Sequence, residues 1–292
     1  MRPLLALGFL PAALLAAGLQ IDHVTIAGAS LKTMQASLAA VGIHSVYGGA
    51  HVNGATEMAL VSFPDGAYLE LMALQPNADP HAVDQHVWAR FLRGNAGPCA
   101  WAVRENDIAA EVRRLQSAGI PVAAPVPSGR KRPDGVRLEW RTSDVGSQLR
   151  GTFFPFLIQD LTPRAQRAFP QGRPVTTDFH GVARIVIAVH DLSAAVKQYR
   201  QAYALPEPLR QVDPDFGARL AYFQNSPVIL AQPLSPESPL AARLATFGEG
   251  PCALILSAAR AQNYRVDSRS RWFGAPVSWF DSNLLGWRLG FE

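Results

Sequence analysis

The chain of 292 residues carries only two cysteines, Cys99 and Cys252, too few for a disulfide scaffold. It has no C-x-x-C pair of the kind that holds structural zinc. Charged residues are scarce, at 17% against about 25% in ordinary soluble chains. The 48% of hydrophobic residues supplies enough apolar surface to offset chain entropy, which excludes global disorder. No basic stripe alternates with aromatics. The net charge of +4 therefore argues against nucleic acid and leaves, as its meaning, anionic small molecules as partners or plain solubility. No Walker-type loop, dinucleotide glycine fingerprint or Ser–His–Asp order occurs, which argues against nucleotide cofactors. Long uninterrupted helices are excluded by 23 glycines and 23 prolines. A stable membrane span is also missing: the uncharged stretch Pro3 to Ile21 contains Pro11 and falls short of the roughly 20 residues a span needs.

That stretch reads instead as a secretory leader. Arg2 precedes the apolar core LLALGFLPAALLAA, and Ala16, Ala17 and Gly18 form a small-residue cleavage site. Leu19 stands where lipid attachment would need cysteine. The expectation is export after cleavage near Gly18, with a cytoplasmic protein if the start site is misplaced.

The body repeats one unit of strand, polar cap, helix and stop. IDHVTIAG leads into SLKTMQASLAAVGI, CAWAVREND into IAAEVRRLQSAGIP, and ARIVIAVHD into LSAAVKQYRQAYALP. Ser30 and Asp191 are placed to cap their helices, and Gly42 and Gly119 to end them. MALVSF, a Pro64-Asp65-Gly66 turn and AYLELMAL form a hairpin signal. Gly97-Pro98-Cys99-Ala100 recurs as Gly250-Pro251-Cys252-Ala253, each after an Ala-Arg run (WARFLRG, AARLATFG). The natural count is four βαβββ units, the last truncated. The expected organisation is a leader over 1–18, a paired-module domain over 19–161, a linker over 162–177 and a degenerate second domain over 178–292. Matching places for Cys99 and Cys252 leave open whether they are bridged or are buried free thiols.

Strand alternation sorts the polar residues. Val24 and Ile26 share one face of the first strand, opposite Ile21, His23 and Thr25; Leu69 and Leu71 share one face of a later strand, opposite Tyr68, Glu70 and Met72. With the aliphatic faces packed on helices, His23 and Glu70 point together into a concave face. Imidazole and carboxylate there are a partial site for a divalent ion or, equally, a hydrogen-bonded pair closing an apolar cavity. His51, in the loop GGAHVNG, would complete a set of two histidines and one carboxylate; a solvated turn histidine is the competing reading. Arg130-Lys131-Arg132 precedes the turn Pro133-Asp134-Gly135, so Arg130 and Arg132 are either hairpin-tip residues or a clamp for a substrate carboxylate. Thr56 and Tyr68 are further candidates for the cavity lining.

DHVTIAG, its spacing to AYLELMAL, and GGAHVNGATEMAL resemble a glyoxalase-like domain of the vicinal oxygen chelate superfamily. SGRKRPDGVRLEW and FFPFLIQD are similar to that domain's second unit. The resemblance implies an α+β fold in which tandem βαβββ modules pair into curled mixed sheets enclosing a cavity. It also implies a divalent cofactor (Zn, Fe, Mn or Ni), with His23 as first-strand ligand and Glu70 as fourth-strand ligand. Glu70 would double as catalytic base, in a lyase, isomerase or dioxygenase acting on a small oxygenated molecule. The pattern departs in places. Met58 stands where the subfamily has Asn, the paired unit offers only Cys99 and Trp101 on its first strand, and Arg184 and Leu230 occupy the places of His23 and Glu70 in the second half. A metal-free exported protein that sequesters a small apolar or aromatic ligand, as monomer or homodimer, is the alternative.

Overall fold

The computed structural model describes residues 18–260 and 264–292, so the leader reading falls, except for Gly18, outside the described residues. Strands β1 (Ile21–Ala27), β2 (Val46–Ala50), β3 (Thr56–Ser62) and β4 (Tyr68–Leu74) form the first module with helix α1 (Leu31–Ala40). Two short helices, α2 (Pro80–Asp84) and α3 (Ala89–Arg93), lead to β5 (Gly97–Arg104). Helix α4 (Ile108–Ser117) and strands β6 (Val126–Lys131), β7 (Arg137–Ser143) and β8 (Phe156–Asp160) complete the second module. These strands make one eight-stranded sheet ordered β2-β3-β4-β1-β5-β8-β7-β6.

The second half repeats the plan. After α5 (Arg164–Ala168) come β9 (Phe179–Ala188), α6 (Leu192–Tyr203), β10 (Leu209–Asp213), β11 (Ala218–Tyr222) and β12 (Val228–Pro233). Then follow α7 (Pro239–Phe247), β13 (Gly250–Ala258), β14 (Ser268–Trp272), β15 (Ala275–Trp279), the single turn α8 (Ser282–Leu285) and β16 (Arg288–Phe291). The order β10-β11-β12-β9-β13-β16-β15-β14 matches that of the first sheet, element for element. Among the described residues no helix joins β13 to β14, where the first three modules carry α1, α4 and α6. None of the described helices is long and apolar enough to cross a membrane.

Local chemistry sets these elements. The side chains of Ser30, Asp107 and Asp191 accept backbone N–H bonds at the starts of α1, α4 and α6. Leu31 and Leu38 of α1, Ile108, Val112 and Leu115 of α4, and Leu192, Val196, Tyr199 and Tyr203 of α6 are buried in one core. That core also takes Val24, Ile26, Leu69 and Leu71 from the first sheet and Ile185, Ile187 and Leu254 from the second. The helices thus lie in a layer shared by both sheets, and each fully buried Leu or Ile contributes about 1.5–3 kcal/mol. Tyr199 donates from its hydroxyl to the Phe153 carbonyl at 2.5 Å across this layer.

Two register shifts matter for the site. Cys99 is an extra residue between Pro98, opposite Ile26, and Ala100, opposite Thr25; Cys252 is likewise extra between Pro251, opposite Ile187, and Ala253, opposite Val186. The recurring Gly-Pro-Cys-Ala therefore marks a bulge in each sheet, and Arg243 of α7 donates to the carbonyls of both Pro98 and Pro251 at 2.5 Å. Both thiols are buried and free, and burial raises the pKa of each. A second shift, between Ile21 and His23, puts Ile21 in the helix-side core rather than on the face of His23, where plain alternation places it.

Candidate active site

The matching registers locate the equivalents of His23 and Glu70 in the second sheet. Val24 faces Trp101 as Ile185 faces Leu254, so Arg184 occupies the place of His23. Thr25 faces Glu70 as Val186 faces Ile229, so the counterpart of Glu70 is Ile229 and not Leu230, a correction of one residue. The concave side of the second sheet is filled by Phe216, Trp272 and Trp279, with ring centroids 5.0–5.9 Å apart.

The first sheet instead encloses a cavity of about 320 Å³, lined by His23, His51, Glu70, Arg130 and Arg150 together with apolar side chains. Helices α2 and α3 and the segment between them carry His86, Val87 and Trp88 to one wall; β6 and β7 bring Arg130 and Trp140 to another. Phe156 and Ile158 of β8 and Met58 and Met72 supply apolar lining.

Three groups converge there. His23 Nε2 stands 3.9 Å from Glu70 Oε2, and His51 Nε2 stands 3.8 Å from Glu70 Oε1. Each imidazole is held from behind. His23 Nδ1 lies 2.6 Å from Asp22 Oδ1, and because an ionised carboxylate only accepts, the ring donates from Nδ1 and turns its Nε2 toward Glu70. His51 Nδ1 lies 2.7 Å from Thr56 Oγ1. The loop of His51 is not a loose turn: Asn53 Oδ1 accepts from the N–H groups of Ala55 and Thr56, and Gln75 Nε2 donates to the carbonyls of Thr56 and His51. Burial lowers the pKa of His51, with Glu70 opposing that effect and Arg130 adding to it. Thr25 donates to Glu70 Oε2 at 3.2 Å. The second module offers Ala100, Ala102, Phe156 and Ile158 to this side, so the third group comes from the β2–β3 loop of the first module.

The segment that joins the two sheets builds the support behind His23. Asp22 is fully buried; burial alone raises its pKa, but Arg167, the hydrogen bond from His23 and Arg164 outweigh that and hold it well below the usual carboxylate range. Arg167 of α5 donates to Asp22 through Nη1 at 3.0 Å and Nη2 at 2.7 Å, to Asp160 through Nε at 2.5 Å and to the Tyr68 hydroxyl at 2.7 Å. Arg164 also pairs with Asp22. The Tyr68 ring stacks on His23 with centroids 4.9 Å apart and planes 4° off parallel.

Of the residues singled out from the sequence, His23, His51, Glu70, Tyr68 and Arg130 line the cavity. Thr56 is buried behind His51. Arg132 does not line it; its guanidinium turns outward to the Gln166 and Pro170 carbonyls and to Asp134. Arg150, Arg167 and Trp88 reach the site from segments without strand or helix periodicity of their own, which is why alternation could not find them. His86, which its polar surroundings assign to the surface, also lines the cavity, and burial lowers its pKa.

The donor set fits a divalent ion. Two imidazole nitrogens whose rings are held at the rear nitrogen and one carboxylate are the ligand types that zinc, iron, manganese or nickel accept. The set is looser than a formed site, and no formed cluster of three or more His, Cys, Asp or Glu side chains exists among the described residues. The gap is small. Ligands 2.0–2.1 Å from a tetrahedral ion stand about 3.3–3.4 Å apart, roughly half an ångström closer than the 3.8 and 3.9 Å found.

Paired βαβββ modules around such a cavity define the architecture of the vicinal oxygen chelate class. The glyoxalase-like domain family matches residues 21–203, and the chain belongs to it. A hypothetical protein from Staphylococcus aureus is similar over 94% of this chain and 99% of its own, at 16% identity and a TM-score of 0.65. A mutant 4-hydroxymandelate synthase from Streptomyces coelicolor is similar over 94% of this chain and 92% of its own, at 12% identity and a TM-score of 0.64. Methylmalonyl-CoA epimerase from Mycobacterium tuberculosis covers 40% of this chain with 89% of its own, at 20% identity and a TM-score of 0.35. No curated protein matches.

Proposed function

We propose that the protein is a metal-dependent enzyme acting on a small oxygenated molecule, of the lyase, isomerase or dioxygenase type, with His23, His51 and Glu70 as ligands to one divalent ion. The observation that carries this reading is the convergence of two imidazole Nε2 atoms on the two oxygens of one carboxylate inside a cavity. A bound ion supplies Lewis-acid polarisation of a substrate oxygen. The chain's own residues do the rest. Asp22 and Thr56 fix the ring orientations from behind. Glu70, tethered at Oε2 by Thr25, is the group placed to take a proton from substrate. Trp88, Phe156, Ile158 and Met72 exclude water, which strengthens every charge interaction in the cavity.

Calorimetric titration of the chelator-treated protein with Zn(II), Mn(II), Ni(II) and, anaerobically, Fe(II) tests this. The reading expects saturable uptake of one of these ions by wild type, lost in His23→Ala and in Glu70→Gln, with the far-ultraviolet circular dichroism retained. Uptake that is absent, or unchanged in both variants, overturns it in favour of a metal-free binding protein.

A further inference from the structure

The cavity contains positive charge that the three central groups do not use. Arg130 is half-buried, yet it makes no ion pair among the described residues; its hydrogen bond is from Nη1 to the Gly48 carbonyl at 2.9 Å. A guanidinium carries five N–H donors in a planar fork, so most of those on Arg130 stand without a protein partner. Arg150 enters from the other side of the cavity. Its guanidinium carbon lies 4.0 Å from the Phe156 ring centroid, and Nη1 donates to Asp144 at 2.5 Å. Trp88 Nε1 donates to the Arg150 carbonyl at 3.1 Å, which pins its backbone. The third cavity arginine, Arg167, is neutralised by Asp22 and Asp160 and has no charge to spare. Of the cations, therefore, Arg130 has no ion-pair partner within 4 Å and Arg150 has one, Asp144, with the Glu70 carboxylate acting on both across the cavity.

We infer that the natural ligand of this cavity is a small monoanionic carboxylate on a flat apolar body, its carboxylate taken by Arg130 with Arg150 beside it. A guanidinium fork with open N–H donors matches one carboxylate, and the nearby Glu70 and Asp144 carboxylates disfavour a dianion such as a phosphate monoester. The flat body follows from Trp88, Trp140 and Phe156, which offer ring faces and edges rather than hydrogen-bonding groups. The volume of about 320 Å³ is at the lower end of what small-molecule sites offer. The inference rests on the proposed site being the ligand cavity, but not on the ion.

Phenylacetate, phenylacetamide and phenyl phosphate, titrated by ligand-observed NMR into the full-length protein as purified, test it. The acid is expected to bind about 10- to 100-fold tighter than the isosteric amide and tighter than the phosphate. Arg130→Gln is expected to remove that preference, with acid affinity falling further than amide affinity. Equal affinity for acid and amide, a preference for the phosphate, no binding of any probe, or an unaltered preference in Arg130→Gln overturns it. Metal content, measured on the same samples, separates the two proposals: selective acid binding by a protein that takes up no ion sustains this inference and sinks the metal reading.

Discussion

Replacing Arg167 by methionine removes the cation on which three strands of the first sheet converge. Its guanidinium meets Asp22 of β1 with two N–H groups, Asp160 of β8 with a third and the Tyr68 hydroxyl of β4 with a fourth contact, all at 2.5–3.0 Å. Arg167 is 2% exposed and Asp22 is 0% exposed, so neither charge has water to fall back on. Breaking one partner of such a buried pair costs about 3–5 kcal/mol, because Asp22 and Asp160 are then left to share Arg164. At about 2 °C per kcal/mol for a chain of this size, the midpoint of thermal unfolding should fall by roughly 6–10 °C. Differential scanning calorimetry of Arg167→Met, and of Arg167→Met combined with Asp22→Asn, is the assay. The combined variant leaves one carboxylate, Asp160, with one cation, Arg164, and should recover part of the loss. A shift under about 2 °C, or a combined variant no more stable than Arg167→Met, refutes the assignment of Arg167 as the keystone of this cluster.

Three other outcomes follow from the same physics. Burial, reinforced by Glu111 and opposed by Arg114, pushes the Glu105 carboxyl up to about 7, so the folded state keeps a proton that the unfolded state releases near pH 4.5. Its contribution is present below pH 4.5 and is lost as pH rises through 7; Glu105→Gln should match wild type in melting temperature at pH 4 and exceed it at pH 8. Arg243→Leu strips donors from the Ala96, Pro98 and Pro251 carbonyls and should cost about 2–3 kcal/mol in denaturant unfolding; an unchanged midpoint would show that water replaces it. Gly151 has φ +70°, and a Cβ there would lie 3.0 Å from Ala100 Cβ, Phe156 Cδ1 and Trp101 O. Gly151→Ala should therefore lower the melting temperature more than Gly172→Ala, where φ is +74° but no atom lies within 4 Å.

Much of this molecule was legible because its periodicities are regular. Two-residue alternation puts His23 and Glu70 on one face, and the 3.6-residue pattern of α1, α4 and α6 picks out Leu38, Leu115 and Tyr199, all of which the structure buries. Errors fell where the period breaks. The register shift at Asp22 carries Ile21 to the opposite face, and an offset of one residue exchanges Ile229 for Leu230 as the counterpart of Glu70. Parts of the site were illegible for a different reason. Arg150 belongs to a loop, and Arg167 to a five-residue helix inside a segment that reads as a linker, so no pattern in their neighbourhood points to a cavity assembled by distant strands. Arg132 differs from Arg130 by two residues in a hairpin whose turn begins at that point; Gly135 N–H donates to the Arg132 carbonyl, and the side chain leaves the cavity for Gln166 and Pro170.

The central claim is that His23, His51 and Glu70 hold a metal ion. Elemental analysis of the protein, purified without chelators or a metal-binding tag, tests it most directly. The account predicts about one equivalent of a single transition metal in wild type, and a near-complete loss in His23→Ala with the fold retained. A protein free of metal that also refuses added ions, or one whose metal survives His23→Ala, would contradict it.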